Sequence, residues 1–349
     1  MNIEIITSDA LNVMTLLFMA VTAIAIARIR NLFAVVMLSG IYSLMGATLY
    51  VILDAVDVAF TEAAVGAGAS TVLMIGTLAL TSANENATPN KQTIKALIAC
   101  TLIGFALVYA SFDMPLFGDP NAPIHNHVVP RYLNDSMAEI GLPNVVTSIL
   151  ASYRGYDTMG EAFVIFTAAV GVIALIGRGR REKSANENMA DANNVMKRKI
   201  VLRVVSKLLI PFILLFGLYV QWHGDFGPGG GFQAGVIFGA AFILYGIIYG
   251  LGTLRKALPA WLTRWLMALG VLLYACTGVV SLIKGASFLD YNVLASTPTG
   301  GQHIGILLVE FGVGMTVFAS IVTIFCAFAG RAAADVNKVS AKQRSAGHD

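Results

Sequence analysis

A chain of 349 residues that is 57% hydrophobic and only 12% charged carries about half the charge of an ordinary soluble domain, and its mean hydropathy of +0.74 makes lipid its main solvent. The net charge is only +3 and the basic residues form no aromatic-interleaved patch, which excludes a nucleic-acid partner. Cys100, Cys276 and Cys326 stand singly in apolar runs, without CxxC or metal spacing, so no metal, cluster or other bound cofactor is expected.

A helix needs about 20 apolar residues to cross the hydrocarbon core. Nine stretches qualify: 10–27, 32–53, 60–81, 93–112, 159–177, 200–220, 232–252, 262–283 and 303–329. The expected fold class is all-α, a polytopic integral membrane protein of about nine transmembrane helices. The chain starts Met1-Asn2-Ile3-Glu4, with Asp9 following, and lacks the basic start of a signal peptide. Its first apolar segment is therefore expected to stay in the mature protein. Segment 113–158 is rich in prolines and acids and cannot span; its end, 145–153, reads as an interfacial helix. Segment 179–199 is charged and Asn-rich, a solvated linker with a module boundary near 184–194. No internal repeat of the kind that builds a self-contained transporter is visible.

Cytoplasmic loops collect Lys and Arg. With the N-terminus outside, 20 of the 23 basic residues fall on the cytoplasmic side, and only Arg131, Arg154 and Lys284 lie outside. One missed or extra span would spoil this split.

Three carboxylates fall inside spans: Glu62, Glu161 and Glu310. An ionised acid at mid-bilayer costs roughly 2.5–3.5 kcal/mol, so three would cost about 8–10 kcal/mol unless protonated, paired or wetted. A buried carboxyl binds its proton more tightly and can exchange it near neutral pH, which is the chemistry of a relay. The competing role is that of a span-end acid that snorkels, and it is open for all three. Glu62 precedes Ala63-Ala64-Val65-Gly66-Ala67-Gly68-Ala69. That small-residue run allows close helix approach and makes a π-bulge cheap. Asp54 and Asp57 lie at the preceding turn, as solvated acids or N-caps of the third span. Lys284 ends an apolar span, where it either snorkels or serves as counter-ion to an acid. His125 and His127 share an HxH spacing without a third ligand nearby. The stretch from His223-Gly224-Asp225 through Pro228-Gly229-Gly230-Gly231 to Gln233 cannot continue a helix, and reads as a tight re-entrant turn buried in protein. No Lys-Ser/Thr follows the glycines, so it is not a phosphate loop. The turn is expected to shape the start of the seventh span against a neighbouring subunit.

Three resemblances attach to these residues. Asp57-Val58-Ala59-Phe60-Thr61-Glu62 with the small-residue run to Gly68 resembles the MbhD-like (DUF4040) membrane module. Gly160-Glu161-Ala162-Phe163 and the preceding 144–157 resemble the MbhE-like module. The His223–Gln233 stretch and Gly305-Ile306-Leu307-Leu308-Val309-Glu310-Phe311-Gly312 resemble the MnhB/MrpB family. The resemblance implies modules over 1–84, 85–185 and 196–349, fused in one chain. It implies membership of a bacterial inner-membrane Mrp-type antiporter that exchanges Na⁺ for H⁺. The partners would be the large A- and D-type subunits and the C, E, F and G types, within membrane lipid. Relay roles are implied for Glu62 and Glu161, with Glu310, Lys284, His223 and Asp225 as further protonatable or cation-facing candidates. Gly66, Gly68 and Pro228 to Gly231 are the structural motif. The family motif often reads His-Gly-His where this chain has His223-Gly224-Asp225, an acid in place of the second histidine. Two other readings compete: a membrane-arm subunit of an ion-pumping hydrogenase or complex I-related oxidoreductase, and a structural scaffold without an ion path.

The charge split yields a topology prediction. Reporter fusions at the two ends should place Met1 outside and Asp349 in the cytoplasm; the opposite sides would refute the nine-span map.

Overall fold

The computed structural model describes residues 3–78, 84–85, 90–176 and 200–346, and side-chain surroundings for 9–78, 84–85, 92–176 and 200–330. The proposed linker 179–199 lies outside the described residues. Lipid offers no partner to a backbone N–H or C=O, so each spanning segment must bond its own. Among the described residues nine helices are long and apolar enough to cross a membrane. They are α1 (Ile3–Arg28), α2 (Leu32–Ile52), α3 (Val56–Leu78), α4 (Asn90–Ser111), α5 (Gly155–Ile176), α6 (Ile200–His223), α7 (Gly231–Tyr249), α8 (Ala260–Ile283) and α9 (Pro298–Ala346). No strand occurs among the described residues; one isolated bridge joins Asn31 and Asn84.

Local chemistry sets the ends. The Asn31 side chain accepts a hydrogen bond from the Ala34 N–H (3.0 Å) and caps α2. Asp54 turns the chain with a φ of 57°, a conformation that Asp tolerates better than most residues. That tight turn starts α3 at Val56, four residues before the expected start. Asp54 and Asp57 do not cap it: the N-cap is Ala55, without a side-chain bond, and Asp57 lies in the first turn. The small-residue run then widens into a π-helix over Ala63–Ser70 before α-geometry resumes at Thr71. The expected π-bulge is there, and it spans the whole run.

Packing centres on α9, which touches α5, α7, α8 and the far end of α3. Val236 and Ile243 of α7, Tyr274 of α8, and Ile306, Val309, Val313, Val317 and Ile321 of α9 form one buried cluster. α6 packs on α7, while α1 and α2 pair and carry α3. α4 differs: none of its apolar window is buried.

The helix expected over 145–153 is there, as a short α-turn over Val145–Thr147 running into a π-helix over Ser148–Tyr153; it straps the bundle, with Thr147, Ser148 and Ala151 buried. Its polar groups are matched by the bundle. Asn144 Nδ2 donates to the carbonyls of Gly224 and Gly227 (3.0 Å each), and Thr147 Oγ1 donates to Gly224 (2.6 Å). Ser152 donates to Gln302 (2.7 Å), Tyr291 to the Ala151 carbonyl (3.1 Å) and Tyr274 to the Gly155 carbonyl (2.6 Å).

The glycine turn packs within the chain, between the strap and α9. Gly230 has a φ of 110°, a region closed to most side chains. A Cβ on Gly231 would overlap the Glu310 carbonyl oxygen. Glycine there lets the start of α7 meet the middle of α9 backbone to backbone.

The strap is therefore a stability element. Asn144→Ala should lower stability by roughly 1–3 kcal/mol, from a lost cap and the half-buried Gly227 carbonyl left without its donor, while Thr147 still serves Gly224. Thermal unfolding of the detergent-solubilised chain should show the drop; an unchanged midpoint would make the strap dispensable.

Candidate functional site

The first turns of α3, the strap, α5, α7, α8 and α9 enclose a cavity of about 250 Å³. Polar groups from every part of the chain reach its wall: Asp57 and Thr61 from α3, Glu161 from α5, Gln233 from α7, Tyr274 from α8 and Glu310 from α9. Gln233 Nε2 donates to Thr61 Oγ1 (2.7 Å), and Thr61 donates to the Asp57 carbonyl (3.0 Å), so α7 and α3 are tied across the space. Glu161 and Glu310 both act electrostatically on the buried Tyr274 hydroxyl.

Glu310 lies against the glycine turn. Its Oε1 lies against the backbone of Gly224 and Gly230, and its Oε2 is buried without a protein hydrogen-bond partner. Asp225 stands on the other side of that turn. It is buried; its Oδ2 lies 3.2 Å from His303 Nδ1, and its Oδ1 meets no protein partner. Burial raises the Asp225 carboxyl above the usual Asp range, and the facing His303 opposes the shift. Carboxylate oxygens are rarely left buried and unpartnered. Two of them flanking one turn mark a place for water, a proton or a cation.

The other candidates are placed apart. Glu62 shares α3 with Thr61 but faces the opposite way: its carboxylate lies beside Gly66 within the π-helix, and its stem lies near Gly46 of α2. Ser43 of α2 closes the same space, leaving no room for a side chain at Gly66. Gly68 lies in the same π-helix. Glu161 lines the cavity yet is exposed on the surface of the chain; Asp157, one turn before it, pairs with Arg154 at 2.5 Å. The His223 ring stacks on Tyr219 (4.8 Å between centroids) and packs near Gly227, outside the cavity wall. Lys284 donates to the Val293 carbonyl (2.8 Å) in an exposed setting, so its ammonium is taken up at the loop and not by an acid of the cavity. Gly229, Gly230 and Gly231 form part of the wall, and Pro228 leads into them. His125 and His127 are exposed, and no cluster of metal-ligating side chains occurs among the described residues.

Sequence reasoning missed His303, Thr61, Gln233 and Tyr274, and took Asp57 for a solvated or capping acid. The signal for His303 was its spacing: it precedes Glu310 by seven residues, two turns on one helix face. Nothing local marked Tyr274 or Gln233, whose roles come from the packing of α7 and α8 on α9.

Fold and site define a polytopic α-helical membrane protein with an acid-lined internal cavity. Three family models match in series: the D component of MBH over 17–83, the E component of MBH over 91–194, and the domain related to the MnhB subunit of Na⁺/H⁺ antiporter over 201–323. A putative antiporter subunit mnhB2 of Staphylococcus aureus is 37% identical over 134 residues, which are 38% of this chain and 94% of that protein. The chain belongs to the MnhB family of antiporter subunits, here preceded by MbhD-like and MbhE-like modules. The A/B component of a probable K⁺/H⁺ antiporter of Rhizobium meliloti is 28% identical over 226 residues, 59% of this chain, and the chain spans only 22% of that relative. The Mrp complex of Dietzia sp. shares the fold, with a TM-score of 0.71 and 23% identity over 90% of this chain and 34% of that one. The archaeal membrane-bound sulfane sulfur reductase matches with a TM-score of 0.50 and 28% identity, over 67% of this chain and 96% of that one.

A pH prediction follows from Asp225. A carboxyl whose pKa is raised by folding stabilises the folded state below its ordinary value of about 3.9, and that contribution is lost as pH rises through the folded value. Asp225→Asn should flatten the decline of thermal stability with rising pH in that window. A variant curve parallel to the parent's would show that Asp225 contributes no such pH dependence.

Proposed function

We propose that this chain is a membrane subunit of a multi-subunit Mrp-type antiporter that exchanges Na⁺ for H⁺ across a bacterial cell membrane, and that its cavity is part of the proton path. The carrying observation is Glu310: a carboxylate with one buried, unpartnered oxygen at a cavity where all three modules meet. An intramembrane acid in such a place is expensive to keep unless it works. Glu161 serves as the second cavity relay, and Glu62 as a separate relay against α2, where the π-helix lets helix shape follow its charge. Asp225 and His223 stand at the turn. Lys284 remains in the proposed set only as a fixed charge near the loop end of the bundle.

The modules are proposed over 1–84, 85–185 and 196–349, with the N-terminus outside and the C-terminus in the cytoplasm. The chain itself holds no catalytic or redox site on this reading, and only Na⁺ and H⁺ pass. The partners are the large A- and D-type subunits and the C, E, F and G types. A second reading draws on the sulfane sulfur reductase match, which covers nearly all of that chain: the same modules would then form a membrane arm whose ion movement is driven by redox chemistry in other subunits.

The test is proton flux in inverted vesicles carrying the whole complex. Glu310→Gln should cut sodium-dependent flux on the order of a hundredfold, the scale of a removed proton-transfer group. Glu161→Gln and Glu62→Gln should also lower it, the Asp variants should keep part of the activity, and the complex should stay assembled. The purified chain alone should carry no flux in proteoliposomes. Wild-type flux from an assembled Glu310→Gln complex would defeat the cavity reading.

A further inference from the structure

We infer that His303 and Asp225 form a proton port, through which a proton passes from solvent at the loop end of the bundle to Glu310 in the cavity. The inference deepens the proposed function and rests on it. Neither family model nor relative assigns a role to His303.

Geometry supplies the argument. The His303 side chain is 49% exposed and Asp225's is 5%, with Nδ1 and Oδ2 3.2 Å apart. The pair therefore bridges water and protein interior in one step. One ring nitrogen faces the carboxylate, and the half-exposed ring leaves the other free to exchange with water. His303 and Glu310 lie seven residues apart on α9, a rise of about 10.5 Å. That is too far for direct transfer, which needs roughly 3 Å or one water between the groups. Asp225 comes from another segment and meets His303 directly, which makes it the group to carry the proton onward.

Asp225 follows Gly224, and Glu310 Oε1 lies against Gly224 and Gly230. A Cβ at Gly230 would stand 3.1 Å from that oxygen, so a side chain there would crowd the gap that glycine leaves open. The Asp225 charge reaches Glu310 electrostatically. Each acid keeps one buried oxygen without a protein partner, an acceptor available to a proton or to a bridging water.

A purely structural ion pair explains less. The turn is already held by Asn144 and Thr147 on the Gly224 and Gly227 carbonyls. The Gly230 N–H adds a bond to the Val220 carbonyl, and the Asn144 N–H one to the Asp225 carbonyl. A half-exposed histidine adds little to that. The charged or titratable groups around Asp225 are His303 and Glu310 on α9, His223 turned to Tyr219, and Asp57, whose Oδ1 lies 3.5 Å from Asn144 Nδ2. His303 alone joins Asp225 to solvent by a direct contact.

The step balances as one proton in and one proton out. A hydronium ion protonates the exposed ring nitrogen of His303 and leaves as water. The opposite nitrogen gives its proton to the Asp225 carboxylate, which leaves the ring neutral in its other tautomer; Asp225 passes the proton to the Glu310 carboxylate, and the ring resets by water-mediated tautomer exchange. No bond changes other than N–H and O–H.

The experiment uses the assembled complex in inverted vesicles, with assembly checked by size-exclusion chromatography. His303→Gln keeps a donor for Asp225 but cannot relay a proton, and should lower initial proton flux at least about tenfold. His303→Ala should lose flux similarly and regain it in a dose-dependent way on addition of imidazole, which a structural defect would not do. Wild-type flux from His303→Gln, or an Ala variant that imidazole does not rescue, overturns the port. If Glu310→Gln is inactive while His303→Gln is active, the port alone fails; if both are active, the cavity reading fails with it.

Discussion

The structure depends on satisfying the backbone of one glycine-rich turn, whose carbonyl at Gly224 is buried in the chain. Between α6 and α7 the chain must reverse, and residues 224–230 present bare carbonyls as they do so. Asn144 and Thr147 supply the missing donors. Those bonds cost little entropy, because Asn144 also caps its own strap through the Val146 N–H. With the turn held, Gly231 can sit on the α9 backbone at Glu310, and the strap closes one side of the cavity. Remove the polar strap, and the turn would need solvent and the acid would lose its enclosure.

The same economy governs the acids. Asp225 within the turn and Glu310 against it each keep one buried oxygen without a protein partner, and a buried polar atom is costly unless something bonds to it. Glu62 is handled differently. The wide π-turn beside it and the absence of a side chain at Gly66 make room for its carboxylate against α2. One helix thus presents a hydroxyl, Thr61, to the shared cavity and an acid, Glu62, to its own module. A change in the winding of Ala63–Ser70 would shift what lies beyond Glu62 against both neighbours.

Much of this was legible before folding. Nine apolar stretches became nine apolar helices because hydropathy and length alone decide what crosses a bilayer. The π-helix was legible in a run of small residues, where side-chain bulk offers no resistance. The strap was not. Asn144, Thr147, Ser148 and Ser152 on a short helix read alike whether they meet water or another segment's backbone, and only the turn opposite them decides. His303 carried no local signal, since its partner Asp225 is remote in sequence. Lys284 failed as a counter-ion for a related reason: a long side chain takes the nearest carbonyl, Val293, and sequence does not show where a loop returns.

Burial along the chain ties these points to assembly. More than half of the apolar windows of α7 and α9 is buried, but none of α4's. α7, α8 and α9 supply most of the buried core, and Ala69, Ile140, Leu142, Ala151 and Ala162 of the earlier segments join it. Glu161 lines the cavity and is exposed on the chain surface at once, so the cavity is walled by this chain on one side and open near α5. An ionised acid facing hydrocarbon there would cost roughly 2.5–3.5 kcal/mol, whereas one facing a polar partner helix would not. On the proposed reading, the surface around Glu161 is where a neighbouring subunit completes the path, and Glu161 and Glu310 sit at the junction of modules because junctions hold polar groups out of lipid.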